Sequence, residues 1–294
     1  MRALLIVNPA ATSTTPRALE VVIGALSHVV SAEVVMTGHR LHAMELARKA
    51  RTQGQDLVIS VGGDGTLNEI VNGLLADEPG PDVPALGVIP GGSTNVFARN
   101  LGIPQDAVEA TGALIDALRN GTRRNVGLGQ ADDRWFTFCA GFGLDAGVIR
   151  EVERRRQNGA RASGLLYIRS ALREFYSGST DRRRPGITLK VPGREPVRDI
   201  FLTVVTNSAP WTYLGTRAVN PSPGASFDSG LDVFGLTRLG TLRSLRHSAQ
   251  LLRPGGGDSG RDVVTLHDAP SMFLSADPAQ PVPVDGDYLH GRTQ

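Results

Sequence analysis

Apolar and polar positions alternate in blocks along the first third of the chain. Ala3-Leu4-Leu5-Ile6-Val7 is an unbroken apolar run cut off by Asn8-Pro9, the pattern of a strand buried on both faces. A helical spacing follows from about residue 16 to 30, with Pro16 suited to its first turn. A short strand is predicted over 33–36, a helix over 41–51 and a third strand over 56–61. The third strand runs into Gly62-Gly63-Asp64-Gly65-Thr66, and a helix is predicted from 67 to 75. A fourth strand over 85–89 runs into Pro90-Gly91-Gly92-Ser93-Thr94-Asn95, with helices predicted over 95–100 and 106–118. Strict alternation of strand and helix predicts a parallel sheet with helices on both faces.

From about Arg124 the pattern changes. Strands are predicted in succession over 125–128, 135–140, 187–191, 200–206, 231–236, 263–267 and 272–275. Helical stretches interrupt them near 147–156, 164–175 and 242–252. Strands that follow one another without helices are typical of antiparallel sheet. The expected fold class is therefore an α/β N-terminal domain followed by a largely antiparallel β-sandwich. The boundary is expected at 121–124, giving domains 1–123 and 124–278.

Composition narrows the function classes. The 294 residues are 40% hydrophobic and 20% charged, enough apolar surface for sizeable cores and too much for a disordered chain. Thirty-one basic and 29 acidic side chains leave a net charge of +2, too weak a field to argue for a nucleic-acid binder. Lysine occurs only at Lys49 and Lys190. The single cysteine, Cys139, excludes an intramolecular disulfide and a multi-cysteine metal site, and its apolar neighbours point to a core position. The first residues are too short an apolar run for a signal peptide, and no stretch reaches the ~18 apolar residues of a spanning helix. A cytoplasmic protein is expected, with any membrane contact peripheral.

Glycine, 35 residues in all, clusters at predicted strand ends. Open α/β sheets bind ligands outside the carboxyl ends of their strands. Glycines there let backbone N–H groups approach phosphate, and a helix N-terminus adds partial positive charge. Asp64 on such a rim would repel bare phosphate, so it implies a nucleotide carrying Mg²⁺ between them; a plain strand-to-helix turn with Asp as a cap is the bland alternative. Gly92, Ser93, Thr94 and Asn95 form a second loop, Asn8 and Pro9 through Thr12 a third, and Thr37-Gly38 a fourth. Four small, polar strand ends together point to a nucleotide site. No lysine follows a glycine, which excludes a Walker loop. Gly141-Phe142-Gly143-Leu144-Asp145-Ala146 matches a dinucleotide fingerprint, but it opens the β-rich half and lacks the acidic residue about 20 positions on.

Several motifs then occur in a recognisable order: Ile6-Val7-Asn8-Pro9, Gly62 through Glu69, Pro90 through Arg99, Gly141 through Ala146, and Asp285-Gly286-Asp287. In this the chain resembles the diacylglycerol kinase catalytic-domain family, which includes bacterial lipid kinases and the sphingosine and ceramide kinases. The resemblance implies an ATP-binding α/β domain and a β-sandwich domain with ATP in the cleft between them. It implies that Asn8, Thr37, the segment Gly62, Gly63, Asp64, Gly65, Thr66, Leu67 and Asn68, and the turn Ser93-Thr94-Asn95 contact ATP. It also implies that the last segment, 279–294, returns to the cleft. Asp64 with Mg²⁺ then supplies charge neutralisation. Asp287 stands where the family commonly has a glutamate as proton acceptor, one methylene longer, and Asp285 is the neighbouring candidate. Asp228 falls in a segment that often reads Asp-Asp-Gly and binds a structural Mg²⁺, and here Ser229 replaces an acid.

The expected activity is an ATP- and Mg²⁺-dependent lipid kinase acting on a hydroxyl of diacylglycerol or a related lipid. A kinase for NAD or another soluble alcohol, and a weakly active nucleotide-binding protein, remain alternatives. The expected partner is a lipid at the inner membrane face, and a homodimer stays open. Arginines at 150, 154, 155, 156, 161 and 182–184 suit either anionic headgroups or plain solvated surface. Trp211 through Gly215 are read as a loop that either touches acyl chains or packs in a satellite core. The six histidines have no convincing metal spacing.

Overall fold

The computed structural model describes residues 1–11, 15–142, 186–238, 246–247, 249–253, 255–257, 260–277, 280–285 and 287–292. Thr12, the arginine clusters at 150–161 and 182–184, and the helices expected over 147–156 and 164–175 lie outside them. The chain forms two compact units. The first comprises Met1–Asn125 with Asp133–Trp135, and the second Val126–Asp132 with Phe136–Gln294.

The first unit alternates β1 (Arg2–Val7), α1 (Pro16–Ser27), β2 (Ser31–Met36), α2 (His42–Thr52), β3 (Leu57–Gly62), α3 (Asp64–Leu74), β4 (Ala85–Pro90), α4 (Val96–Asn100) and α5 (Ala107–Asn120). Its four strands are parallel in the order β2-β1-β3-β4. Successive strand residues face opposite sides, and the cores divide accordingly. Leu5, Val7, Ile59 and Val61 pack with Val22, Leu26 and Ala110 on one face. Leu4, Ile6 and Val58 pack with Ala43, Ala47, Ile70 and Leu74 on the other. Each aliphatic side chain so buried contributes about 1.5–3 kcal/mol, which is why the unbroken apolar runs take the middle of the sheet.

Local chemistry sets the helix ends. Thr15 accepts from Ala18 N ahead of Pro16, and Asp106 accepts from Val108 N and Glu109 N, both ordinary N-caps. Gly121 (φ 64°) closes α5 in the left-handed conformation. The expected elements recur with two shifts. The first helix stops at Ser27, because Val29 N and Val30 N both turn back to Leu26 O. The third begins at Asp64 and not at residue 67, since Asp64, Gly65 and Thr66 already wind as helix.

The remaining strands are β5 (Gly129–Ala131), β6 (Arg134–Phe136), β7 (Cys139–Phe142), β8 (Ile187–Lys190), β9 (Val197–Ile200), β10 (Leu202–Thr206), β11 (Thr212–Leu214), β12 (Arg217–Val219), β13 (Leu231–Leu236), β14 (Val263–Ala269), β15 (Phe273–Ala276), β16 (Gln280–Val284) and β17 (Asp287–Arg292). In the second unit an antiparallel sheet runs β14-β13-β10-β7-β16-β17, and a three-stranded sheet runs β15-β8-β9. Phe142, Val205, Val233 and Val284 of the first share one core with Ile187, Leu189, Ile200 and Ala276 of the second. That is the anticipated sandwich.

Three strand expectations change. The run 135–140 breaks at Thr137-Phe138, because those two amides bond the Asp285 carboxylate and not a neighbouring strand. Residues 125–128 form no strand: Gly127 bonds singly to Phe227 O and to the Asn207 amide. Trp211 through Gly215 are no simple loop, because β11 pairs with β12 around Gly215 (φ 63°). Cys139 is buried and accepts from Trp211 Nε1 at 3.2 Å.

Helices α2 and α3 meet closely at Gly73, where an added Cβ would lie 2.2 Å from Met44 O and 2.8 Å from Ala47 Cβ. Gly73→Ala should therefore lower stability by about 1–3 kcal/mol despite the better helix propensity of alanine. Denaturant melts of the two forms check this.

Candidate functional site

The parallel register brings four loops to one rim. Val7 pairs with Met36 and with Val61, and Val61 pairs with Ile89. These residues form one row across the sheet, and each is followed within two residues by a polar or glycine-rich loop. The ladder continues one step into the loops: Thr37 N donates to Val7 O, Asn8 N to Val61 O and Gly91 N to Gly62 O. The sequence-predicted residues Asn8, Pro9, Thr37, Gly62, Gly63, Gly92, Ser93, Thr94 and Asn95 belong to these strand ends and loops, and Asp64, Gly65 and Thr66 form the first turn of α3.

Two of the loops touch. A Cβ on Gly63 would lie 3.1 Å from Gly92 Cα. A Cβ on Gly92 would lie 2.6 Å from Gly63 Cα and 2.8 Å from Asn95 Oδ1. Only glycine fits such a backbone approach. Gly63 is also the N-cap of α3, and no side chain caps that helix. Its first N–H groups therefore present a positive helix end. A Cβ on Gly65 would meet nothing within 4 Å, so this end has open space before it. Ser93 is exposed, and Thr37 and Thr94 are half-buried.

The amides and carboxylates of the motifs brace these loops. Asn8 Nδ2 donates to Thr66 Oγ1 at 2.9 Å, and Asn8 Oδ1 accepts from Ala10 N. Asn95, left-handed at φ 49°, accepts from Gly92 N and donates to Gly92 O. Asp64 accepts from Val96 N at 3.0 Å and from Phe97 N at 3.3 Å, and so caps α4. Asn68 is buried. It donates to Trp135 O and accepts from Asn72 and Arg134, so it pins residues 134–135.

Sequence reasoning missed two contributors. Glu69 accepts from Leu41 N at 2.9 Å and Ala43 N at 3.2 Å. It ties the loop after β2 to α3 and caps α2, whose own N-cap Leu41 is left-handed at φ 66°. Asn72 donates to Trp135 O and accepts from Trp135 N. Its signal was the i, i+4 spacing from Asn68, which puts both amides on one helix face.

In the second unit, Asp285 (φ 47°) sits in the turn after β16. Its Oδ2 accepts from Thr137 N at 2.6 Å and Thr137 Oγ1 at 2.7 Å. Its Oδ1 accepts from Phe138 N at 3.0 Å and Cys139 N at 3.1 Å. Burial pushes the carboxyl above its usual range, opposed by the three backbone N–H groups and the Thr137 hydroxyl. This carboxylate is committed to holding 137–139. Asp287 opens β17.

The turn at Asp228 is closed by hydrogen bonds of its neighbours. Ser229 Oγ donates to Ser226 O and Gly230 O, so a hydroxyl closes the turn from within. Gly230 N donates to Asp268 Oδ1 at 2.7 Å. Asp228 itself is exposed.

Known proteins share both the motifs and the fold. Residues 2–131 match the family model for the diacylglycerol kinase catalytic domain. A diacylglycerol kinase of Bacillus subtilis (strain 168) is 45% identical over 102 residues, 34% of this chain and 31% of that protein. One from Staphylococcus epidermidis (strain ATCC 12228 / FDA PCI 1200) is 41% identical over 97 residues, 33% of this chain and 28% of that protein. The matched stretch thus spans about a third of these relatives' length. A crystal structure of a diacylglycerol kinase from Bacillus anthracis str. Sterne superposes with a TM-score of 0.71 at 21% identity, covering 98% of this chain and 90% of that one. A second solved chain from the same organism reaches 0.76 at 24% identity, covering 99% and 92%. Among the described residues, no helix is long and apolar enough to cross a membrane. The likeness carried by the motifs is therefore borne out: residues 2–131 match a diacylglycerol kinase catalytic domain, and nearly the whole chain shares the fold of those solved structures.

Proposed function

We propose that this protein is a kinase that transfers the γ-phosphoryl group of ATP to a hydroxyl of diacylglycerol or a related lipid, with Mg²⁺. The observation that carries this reading is the uncapped, glycine-lined N-terminus of α3 pressed against Gly92. Such an end takes phosphate without further help. The names of the relatives matched over residues 2–131 support the lipid acceptor.

In this reading the first N–H groups of α3 and the loop Gly92-Ser93-Thr94 hold the phosphates, and Thr37 and Asn8 line the same rim. Mg²⁺ would be held through Asp64 and would neutralise phosphate charge during transfer. Asp64 also keeps α4 in place, so it aligns the 92–95 turn whether or not a cation is bound. Asp287 would accept the lipid hydroxyl proton. Asp285 would act as a positioning residue, because its oxygens hold the 137–139 backbone. The lipid would be met at a membrane surface by peripheral contact.

The direct experiment incubates the protein with labelled ATP, Mg²⁺ and a panel of lipid hydroxyls. Phospholipid product is expected, and Asp287→Asn should reduce turnover by about 10²–10⁴-fold with the melting curve kept. Asp285→Asn should instead destabilise the fold by about 1–3 kcal/mol, since its amide would set a donor against backbone donors. ADP release that follows NAD but not lipid would favour a soluble-alcohol kinase. ATP binding without ADP release would favour a nucleotide-binding protein.

Gly92→Ala tests the cradle. The new methyl would force the two loops apart, so nucleotide affinity should fall by about tenfold or more, with stability lowered by about 1–3 kcal/mol. Calorimetric titration with ATP beside a denaturant melt separates the two effects.

A further inference from the structure

We propose that a cavity wholly within the second unit, flanked by Arg194 and His267, binds a phosphate-bearing anion. The cavity measures about 680 Å³, and its lining includes Arg194, Ser222, Asp232, Gln250, Thr265 and His267. It involves neither the α3 rim nor Asp285 and Asp287, and it stands whether or not the kinase reading does.

Charge is layered in this pocket. Asp232, on β13, is 3% exposed, and its two oxygens lie 2.8 and 3.0 Å from His267 Nδ1. Asp232 Oδ1 also accepts from Asp268 N at 3.0 Å. The Nδ1 proton therefore faces the buried acid, the imidazole is fixed in orientation, and the opposite ring nitrogen is left for another partner. The His267 side chain is 62% exposed while that of Asp232 is 4% exposed. The acid thus lies inside and the cation at the mouth. The turn at Gly224 closes on the ring: an added Cβ would lie 3.1 Å from His267 Nδ1 and Cε1.

Arg194 supplies a second cation from the loop between β8 and β9. Among the described residues it forms no ion pair. Ser222 and Thr265 add hydroxyls and Gln250 an amide. Two cations with neutral donors suit a multi-oxygen anion, and a guanidinium fork suits phosphate in particular. A bound divalent cation does not fit, since the one buried carboxylate already holds His267. The volume exceeds a bare phosphate, so the ligand is a phosphate ester, either a small soluble one or a phospholipid headgroup.

The ionisation of His267 supports this role. Its pKa is raised by the Asp232 hydrogen bond and charge, with a lesser contribution from Asp268. The charged groups facing it are Asp232 on β13, Asp268 beside it on β14, and Arg194 across the cavity. The protonated ring is fully present below the ordinary histidine value and is lost as pH rises through the raised one. Anion affinity should therefore fall with rising pH.

The test follows the His267 ring signals by NMR in the full chain. Inorganic phosphate and glycerol phosphate should each give saturable shifts of that ring. Arg194→Gln should weaken them by about tenfold. Sulfate, whose charge is constant in this range, should bind more tightly at about pH 6 than at about pH 8. Calorimetric titration, which does not need the ring, should show that His267→Gln weakens sulfate binding and removes its pH dependence. If that variant fails to fold, Arg194→Gln carries the test, because Arg194 is an exposed loop residue. Vesicles of phosphatidylcholine with and without phosphatidate separate the sources. Phosphatidate-dependent sedimentation lost in Arg194→Gln assigns a headgroup, and soluble binding alone assigns a free ester. A His267 ring unmoved by every probe, or an Arg194→Gln protein that binds like the wild type, overturns the proposal.

Discussion

Everything at the rim of the first unit depends on the row of backbone pairs through Met36, Val7, Val61 and Ile89. Parallel strands have their carboxyl ends on one side, so their loops must leave from one edge. The register then decides whether those loops start at the same height, and here they do. The apolar runs that bury β1 and β3 on both faces lock this register, because a slip of one residue would exchange the two cores. The cores of the first unit thus do functional positioning as well as stabilising the sheet.

The rim itself is set by what glycine omits. Gly63 and Gly92 let two loops meet backbone to backbone, and side chains elsewhere close the structure around that contact. Asn95 bonds both polar backbone atoms of Gly92, Asp64 caps α4, and Asn8 holds Thr66. Each bond removes freedom from a loop that must present N–H groups outward. The N-terminus of α3 has no side-chain cap, so among these well-satisfied turns it is the end that offers bonding capacity to an incoming anion.

Much of this was legible in the chain. Unbroken apolar runs identified β1 and β3, because burial on both faces leaves no polar alternation to confuse the reading. Pro16 marked the first turn of α1. The grouping of four small-residue loops followed from strand ends in a parallel sheet. Other features depended on partners far away in sequence. The break at Thr137-Phe138 is made by Asp285, about 150 residues on, and no local pattern encodes it. Glu69 reads as a solvated helix residue until the loop at Leu41 is seen to need two acceptors. The Asp232–His267 pair joins two neighbouring strands, and its register could not be known before their pairing.

The distribution of acids separates positioning from chemistry. Asp64, Asp232 and Asp285 each accept at least one backbone N–H, and Asp232 and Asp285 are buried. A buried carboxylate that accepts several donors is held in one place by the backbone it bonds, even though burial raises its proton affinity. By that argument Asp285 belongs to the backbone it organises. The same argument distinguishes Asp64, which is only half-buried and accepts one backbone bond on each oxygen. It lies beside the Gly63–Gly92 contact and holds the start of α4 through both oxygens. One short carboxylate therefore fixes the start of α4 and, through it, the geometry of the 92–95 turn.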